Sequence, residues 1–137
     1  INVNKMTIKS YKFLLPILLS ILFFSSCEKE TYVDYYIENQ SSSVITVGGS
    51  DIIHSTDIAR TINPNEKKNI VTWSKRGIQT DLFEPTAIFG NDLAIANASG
   101  DTILKDYKIL ANWTSDVDDN RNVAEHKYVL VVSDFDF

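Results

Sequence analysis

Residues 31–38 read Thr-Tyr-Val-Asp-Tyr-Tyr-Ile-Glu, and this stretch decides the fold class. Val33, Tyr35 and Ile37 fall on one face of an extended chain, whereas Asp34 and Glu38 fall on the other. A spacing of two residues between apolar positions indicates a half-buried β-strand, and aromatic and β-branched residues are enriched in strands. The stretch therefore predicts a strand with one face against a core and the other in water.

Similar short stretches follow along the chain, separated by turn-forming residues. The clearest turn is residues 63–66, Asn-Pro-Asn-Glu, because proline presets φ and asparagine tolerates left-handed geometry. We predict further strands at residues 44–47, 57–62, 67–74, 92–97, 102–107 and 123–134. The first two strands are expected to pair as a hairpin, as are 92–97 and 102–107.

The remaining segments are assigned from their polarity and apolar spacing. Trp73 is expected to anchor the core, and the apolar run 128–132 predicts a central strand covered on both faces. Phe135 and Phe137 are expected to pack against the body. Residues 109–122 are polar and predict a long loop, with one or two helical turns allowed within 78–90 or 109–121. Seven to eight short strands at intervals of about 8 to 12 residues predict an all-β, antiparallel β-sandwich.

The segment ahead of these strands has the pattern of a secretory signal. Lys5, Lys9 and Lys12 precede an apolar run at 13–24 that only Pro16 and Ser20 interrupt. Twelve helical residues rise about 18 Å, against roughly 30 Å of bilayer hydrocarbon. A positive flank, a short apolar core and small residues before a cut point indicate a cleaved signal peptide. Residues 1–5 add nothing that such a signal needs, so Met6 is the expected start.

The end of that segment, Ser25-Ser26-Cys27, resembles the lipobox of bacterial lipoproteins. The resemblance implies cleavage between Ser26 and Cys27 and a diacylglyceryl group on Cys27, the sole cysteine of the chain. Several acyl chains hold a protein stably on a membrane, since each buried CH₂ contributes about 0.8 kcal/mol. The expected organisation is a signal at residues 1–26, a lipidated tether at 27–31 and a β-sandwich at 32–137.

Residues 28–30, Glu-Lys-Glu, leave two interpretations open. They resemble the acidic signal after the cysteine that sends some Gram-negative lipoproteins to the outer cell surface. They also fit a solvated tether. Removing residues 1–26 from the 137 leaves 18 acidic and 10 basic residues, a net charge of −8. An acidic domain without a basic stripe is a poor candidate for binding nucleic acid.

The whole mature chain resembles a large group of small bacterial surface lipoproteins. The likeness lies in the cysteine followed by a short tether, and in YYIENQS at 35–41, INPNE at 62–66, DLAIAN at 92–97 and HKYVLVVSDFDF at 126–137. The resemblance implies an immunoglobulin-like β-sandwich and an outer-membrane location, and supplies no chemistry of its own.

Candidate catalytic and metal-binding residues are few. A histidine base would have to be His54 or His126, and both are placed as surface or cap residues. Residues 116–122 offer oxygens from Asp116, Asp118 and Asn120 at calcium-loop spacing. That loop type requires glycine at its sixth position and glutamate at its twelfth, where this chain has Arg121 and Lys127. A solvated acidic loop is therefore preferred, with calcium binding as the alternative.

Trp113, beside Asn112 in the predicted 109–122 loop, is the candidate ligand contact. An exposed indole among amides and carboxylates can stack on a sugar ring or bind a partner protein. The alternative interpretation is that Trp113 folds back and closes one end of the sandwich.

The sequence therefore predicts a non-enzymatic, lipid-anchored cell-envelope protein with a binding, adhesion or structural role. Its partners are expected to be the membrane, through the lipid, and a glycan or a protein; no cofactor and no nucleic acid is implied. Two alternatives remain: a small envelope enzyme or inhibitor that uses loop carboxylates, and a calcium-responsive module built on residues 116–122.

Overall fold

The computed structural model describes residues 29–77, 82–119 and 123–137. The predicted signal at 1–26 and Cys27 lie outside the described residues. The strands are β1 (Glu30–Asn39), β2 (Ile45–Asp51), β3 (Thr56–Ile62), β4 (Glu66–Arg76), β5 (Ala94–Asn97), β6 (Trp113–Asp119) and β7 (Val123–Val132). A short helix, α1 (Pro85–Phe89), and 3₁₀ turns at Leu110–Asn112 and Asp134–Asp136 connect or follow them.

The strands form two sheets. The four-stranded sheet has the order β4-β1-β7-β6 and the three-stranded sheet the order β3-β2-β5. Among the described strands, β1 and β7 pair in parallel, from Glu30 opposite Val123 to Asn39 opposite Val132. The other neighbours in both sheets are antiparallel. The all-β sandwich predicted from the sequence is confirmed.

The connectivity differs from the seven-strand immunoglobulin arrangement. There the first, second, fifth and fourth strands form one sheet, and the third, sixth and seventh form the other. Here β1 lies between β4 and β7, and β2 belongs to the opposite sheet. The strand order implied by the resemblance is thus not the one observed.

Apolar side chains from both sheets meet in one core. It is formed by Val33, Tyr35 and Ile37 of β1, Ile70 and Val71 of β4, Tyr128, Leu130 and Val132 of β7, Trp113 of β6, Ile45 and Val47 of β2, Ile58 and Ile62 of β3, and Ile95 of β5. Leu82, Ile88, Phe89, Leu93 and Tyr107 close its margin. The burial alternates along β1 as the period of two residues predicts.

Three features depart from the sequence prediction. β1 and β2 do not form a hairpin, because the chain crosses from one sheet to the other between them. The predicted loop at 109–122 contains β6, which pairs with β7 although its residues 114–119 are all exposed and, except for Val117, polar. β7 is central, but only one of its faces is fully buried.

The 92–107 segment matches its prediction only in part. β5 is followed by a bridge between Ala96 and Thr102, and the Ile103 N–H donates to the Ile95 carbonyl over 2.9 Å. The chain does turn back on β5, but residues 102–107 do not form the predicted strand. Within the described ranges, no helix has the length and apolar content needed to cross a bilayer.

Asn39 joins the two sheets at one end. Its side-chain amide donates to the carbonyls of Ser43 and Ile62 over 2.8 and 3.0 Å. Its side-chain oxygen accepts from the N–H and the hydroxyl of Ser41. Because Asn39 is fully buried, these four bonds satisfy an amide that would otherwise be costly to bury.

Candidate functional site

Trp113 is inside the sandwich. Its side chain is 7% exposed, and its indole N–H donates to the Tyr107 carbonyl over 2.7 Å. Asn112 ends the preceding 3₁₀ turn, and its amide donates to the Asp106 carbonyl over 2.7 Å. Of the two interpretations of Trp113, the structure shows the one in which the ring closes the body. An exposed indole platform is not present there.

An aromatic cluster explains why Trp113 turns inward. Its ring meets Tyr35 edge-on at 5.4 Å between centroids, and Phe83 at 5.9 Å. Tyr35 also meets Phe89 edge-on and stacks on Tyr128, each at 5.3 Å between centroids. Edge-to-face pairs of this kind contribute roughly 0.5–1.5 kcal/mol beyond area burial. The polar neighbours of Trp113 along the chain gave no sign of this, since none of its ring partners is near it in sequence.

The hydroxyl of Tyr35 fixes the segment that follows the undescribed residues 78–81. It donates to the Leu82 carbonyl over 3.3 Å and accepts from the Glu84 N–H over 3.1 Å. Burial raises the pKa of Tyr35, and the Glu84 hydrogen bond only partly opposes this. Tyr35 is therefore a neutral structural side chain at every physiological pH, and not an acid–base group.

The candidate calcium-loop residues lie on a strand. Asp116 and Asp118 are exposed in β6, opposite Lys127 and Glu125, and Asn120 lies outside the described residues. A calcium loop wraps its backbone round the ion, whereas residues 116–119 are extended. Across residues 29–77, 82–119 and 123–137, no three His, Cys, Asp or Glu side chains are grouped to hold a metal ion.

The two histidines occupy separate structural positions. His54 lies in the turn after β2, and its Nδ1 is 2.5 Å from the buried Asp51 carboxylate, which also accepts the N–H groups of Ile53 and His54. Asp51 thus organises this turn. His126 is a half-buried residue of β7, opposite Val33 and Val117.

The outer face of the four-stranded sheet carries a group of polar and aromatic side chains that was not among the candidates from the sequence. Tyr32 and Tyr36 are half-buried on the outward side of β1, with Asp34 between them. Asn69 and Thr72 of β4 both donate to the Asp34 carboxylate, and the Asn69 amide also donates to the Thr72 hydroxyl over 3.0 Å. We call these five residues the tyrosine face.

Charged neighbours fix the rings and the edges of the tyrosine face. The Lys67 ammonium lies 5.8 Å from the centre of the Tyr36 ring. A hydrogen bond with Glu30 is the main cause that raises the pKa of Tyr32. The Lys127 ammonium is 3.1 Å from the Glu125 carboxylate, and this bond is the main cause that raises its pKa. The Tyr32 phenol and the Lys127 ammonium are therefore in their protonated forms at neutral pH.

Carboxylates outnumber cations around the rings. On the outward side of β1 and the neighbouring strands there are six carboxylates and three cations. The carboxylates are Glu30, Asp34, Glu38, Asp116, Asp118 and Glu125, and the cations are Lys67, Arg76 and Lys127. Such a surface repels anions and favours neutral or cationic ligands. Tyr32 and Tyr36 are four residues apart on one strand, about 13 Å at 3.3 Å per residue. The rings could therefore contact one extended ligand at two separate positions.

The chemistry available on the tyrosine face is recognition by stacking and hydrogen bonding. A phenol ring offers a flat apolar surface with few rotamers to lose and one polar tip. Asp34, Asn69 and Thr72 supply acceptors and donors between the rings. The signal in the sequence was the same alternation that places Val33, Tyr35 and Ile37 inside, because it also places Tyr32 and Tyr36 outside.

The fold and this face define the chain as a two-sheet β-sandwich with a polar, tyrosine-bearing outer surface. Comparisons with protein-family models, with curated proteins and with solved structures gave no match.

Proposed function

We propose that this chain is a lipid-anchored protein of the bacterial outer membrane whose β-sandwich binds a neutral glycan through the tyrosine face and catalyses no reaction. The observation that carries the binding role is the pair Tyr32 and Tyr36 on one outward strand face with the Asp34 network between them. Sugar hydroxyls would exchange hydrogen bonds with that network, while the C–H faces of the sugar rings pack on the phenols.

The position of Cys27 supports the anchored arrangement. β1 begins at Glu30, two residues before the expected start of the domain at residue 32. The tether is therefore limited to residues 27–29. Lys29 already pairs with Asp119 of β6. Three residues span at most about 10 Å. A lipid on Cys27 would therefore hold this end of the sandwich close to the headgroups, and the tyrosine face would lie along the side of the domain.

Glycan binding is tested with the purified full chain and a panel of neutral oligosaccharides of defined linkage, by calorimetry or array. Tyr36→Ala and Tyr32→Ala are expected to weaken binding at least tenfold, and Tyr36→Phe by much less, because the ring is retained. Thr61→Ala, on an exposed position of β3 in the other sheet, is the matched control. Equal affinity of Tyr36→Ala and the parent chain, or no binding to any member of the panel, would reject the tyrosine face as a glycan site.

Lipidation is tested separately by labelling cells with a palmitate analogue. The parent chain is expected to carry the label and Cys27→Ser to lose it and leave the membrane fraction. Protease treatment of intact cells then reports the exposed side, with digestion expected for a surface location. An unlabelled parent chain would remove the anchor from the proposal without affecting the glycan test.

A further inference from the structure

Two large apolar side chains are displayed to solvent at one end of the sandwich. Phe135 is 96% exposed and Leu104 is 83% exposed, the highest values among the large apolar residues of the described chain. From the sequence, both Phe135 and Phe137 were expected to pack against the body. Phe137 does contact the core, whereas Phe135 points away from it. The prediction for Phe135 was wrong because the turn that carries it has its own polar anchors.

Hydrogen bonds hold the Phe135 turn in place from three sides. The Ser133 N–H and hydroxyl donate to the Asp136 carboxylate over 2.7 and 2.9 Å. Lys105 donates to the same carboxylate over 3.0 Å and to the Val131 carbonyl over 2.7 Å. The N–H of Ser42 donates to Asp134 over 2.9 Å.

Leu104 belongs to the same fixed assembly. Its N–H donates to the Asp136 carbonyl over 2.7 Å, so the backbones that carry Leu104 and Phe135 are joined. Single exposed apolar side chains are common on protein surfaces, so exposure alone does not mark a contact site. A ring on a rigid backbone loses little conformational entropy on binding, which is the condition for a strong interface contact.

The position of this assembly indicates what it can meet. β1 runs from Glu30 to Asn39 beside the parallel β7, and the turn follows the end of β7 directly. Nine steps along β1 span about 30 Å, so Phe135 lies at the end of the sandwich opposite the start of β1. A membrane reached from Cys27 would therefore lie at the other end.

We infer that Phe135 and Leu104 form a docking knob for another protein, which receives the Phe135 ring in an apolar pocket with a basic side chain at its border. Asp134 is exposed next to Phe135, whereas the Asp136 carboxylate is mostly buried and paired with Lys105, so the acidic border of the knob is the Asp134 carboxylate. Two copies of this chain meeting knob to knob would bring their Asp134 carboxylates together and repel. This inference is independent of the tyrosine face and of the proposed glycan.

The first test separates a docking residue from a structural one. Phe135→Ser is expected to leave the melting temperature of the full chain within about 1 °C of the parent, because the ring makes no core contact. The matched variant is Phe137→Ser, which removes a ring packed on the core and is expected to lower the melting temperature by several degrees. A comparable loss for Phe135→Ser would show a structural role and overturn the inference.

The second test is site-specific photo-crosslinking in living cells with benzoylphenylalanine at position 135 of the full chain. We expect one adduct with a different protein, absent when the probe is at exposed Thr61 and reduced at least fivefold by Leu104→Asp. The adduct is identified by mass spectrometry, and Phe135→Ser is expected to raise the Kd for that purified protein at least tenfold. No adduct, equal adducts from both positions, an adduct with a second copy or with lipid, or an unchanged Kd would each overturn the inference.

Discussion

The two tryptophans of the chain differ in whether the indole N–H has a hydrogen-bond acceptor. Each buries its indole nitrogen, but only that of Trp113 has an acceptor, the Tyr107 carbonyl. Trp113→Phe removes this bond, leaves that carbonyl without its donor and opens space among Tyr35 and Phe83. We expect the free energy of unfolding to fall by roughly 2–3 kcal/mol, as measured by urea denaturation. A change under about 0.5 kcal/mol would contradict the role assigned to this hydrogen bond.

Trp73 gives the opposite expectation. Its indole nitrogen is buried without a hydrogen-bond partner in the described structure, although the ring packs against the core. Trp73→Phe removes the unsatisfied donor, and this gain offsets the loss of ring volume. The free energy of unfolding should change by less than about 1 kcal/mol in either direction. The same urea denaturation series measures both variants. A larger loss of unfolding free energy for Trp73→Phe than for Trp113→Phe would contradict the roles given to the two indole N–H groups.

Within β2, two adjacent glycines have different structural requirements. Gly49 has φ of +148°, and a Cβ there would lie 2.9 Å from the Asp92 carbonyl oxygen. Gly48 would meet nothing within 4 Å. We expect Gly49→Ala to destabilise the protein by roughly 1–3 kcal/mol and Gly48→Ala to be neutral or slightly stabilising. Thermal melts of both variants check this. Equal changes in melting temperature would show that the contact between a Cβ at position 49 and the Asp92 carbonyl does not destabilise the protein.

The last turn predicts a dependence on pH. Burial raises the pKa of Asp136, but hydrogen bonds from Ser133 and Lys105 outweigh burial and hold the pKa below its ordinary 3.8. The stability from these bonds is therefore present above about pH 4 and is lost as pH falls through the lowered pKa.

Asp136→Asn tests this by urea denaturation between pH 7 and pH 2. We expect the variant to be less stable than the parent at pH 7 and the two to converge at the acid end, because the parent's carboxylate is then protonated. Thr61→Ala, at an exposed position of β3, is the control and should run parallel to the parent because it changes no titrating group. A constant difference in unfolding free energy between Asp136→Asn and the parent at all pH values would contradict the link between the lowered pKa of Asp136 and stability.

At the element level, the local sequence pattern predicted where the strands lie better than it predicted which strands pair with each other. The alternation in β1 and the Asn-Pro-Asn-Glu turn were found where expected, because both depend on neighbouring residues only. β4 breaks the alternation, since a register shift opposite Tyr35 and Tyr36 turns Ile70 and Val71 both inward. The pairing of β1 with β4 and β7 depends on residues 27 to 93 positions away, which no local pattern encodes.

The candidate site shows the same limit. Trp113 was singled out because its chain neighbours are polar, but its environment is set by Tyr35 and Phe83, from distant segments. The outward positions of Tyr32 and Tyr36 followed directly from the β1 pattern. Their role became visible only when β4 placed Asn69 and Thr72 beside Asp34. Strand faces were therefore predictable, and the cross-strand network was not.

For the whole molecule, the shared direction of β1 and β7 determines how it would carry load. A tether that enters at Glu30 and a partner that holds Phe135 would pull these neighbouring strands along their axes in opposite senses. The ladder between Glu30–Asn39 and Val123–Val132 would then be strained in shear, with its bonds sharing the force instead of opening in turn. Single-molecule pulling through residues 29 and 137 should give a higher rupture force than pulling through residues 113 and 132, which peels β6 from β7. The fold would thus behave as a force-bearing link between a membrane and whatever grips its far end.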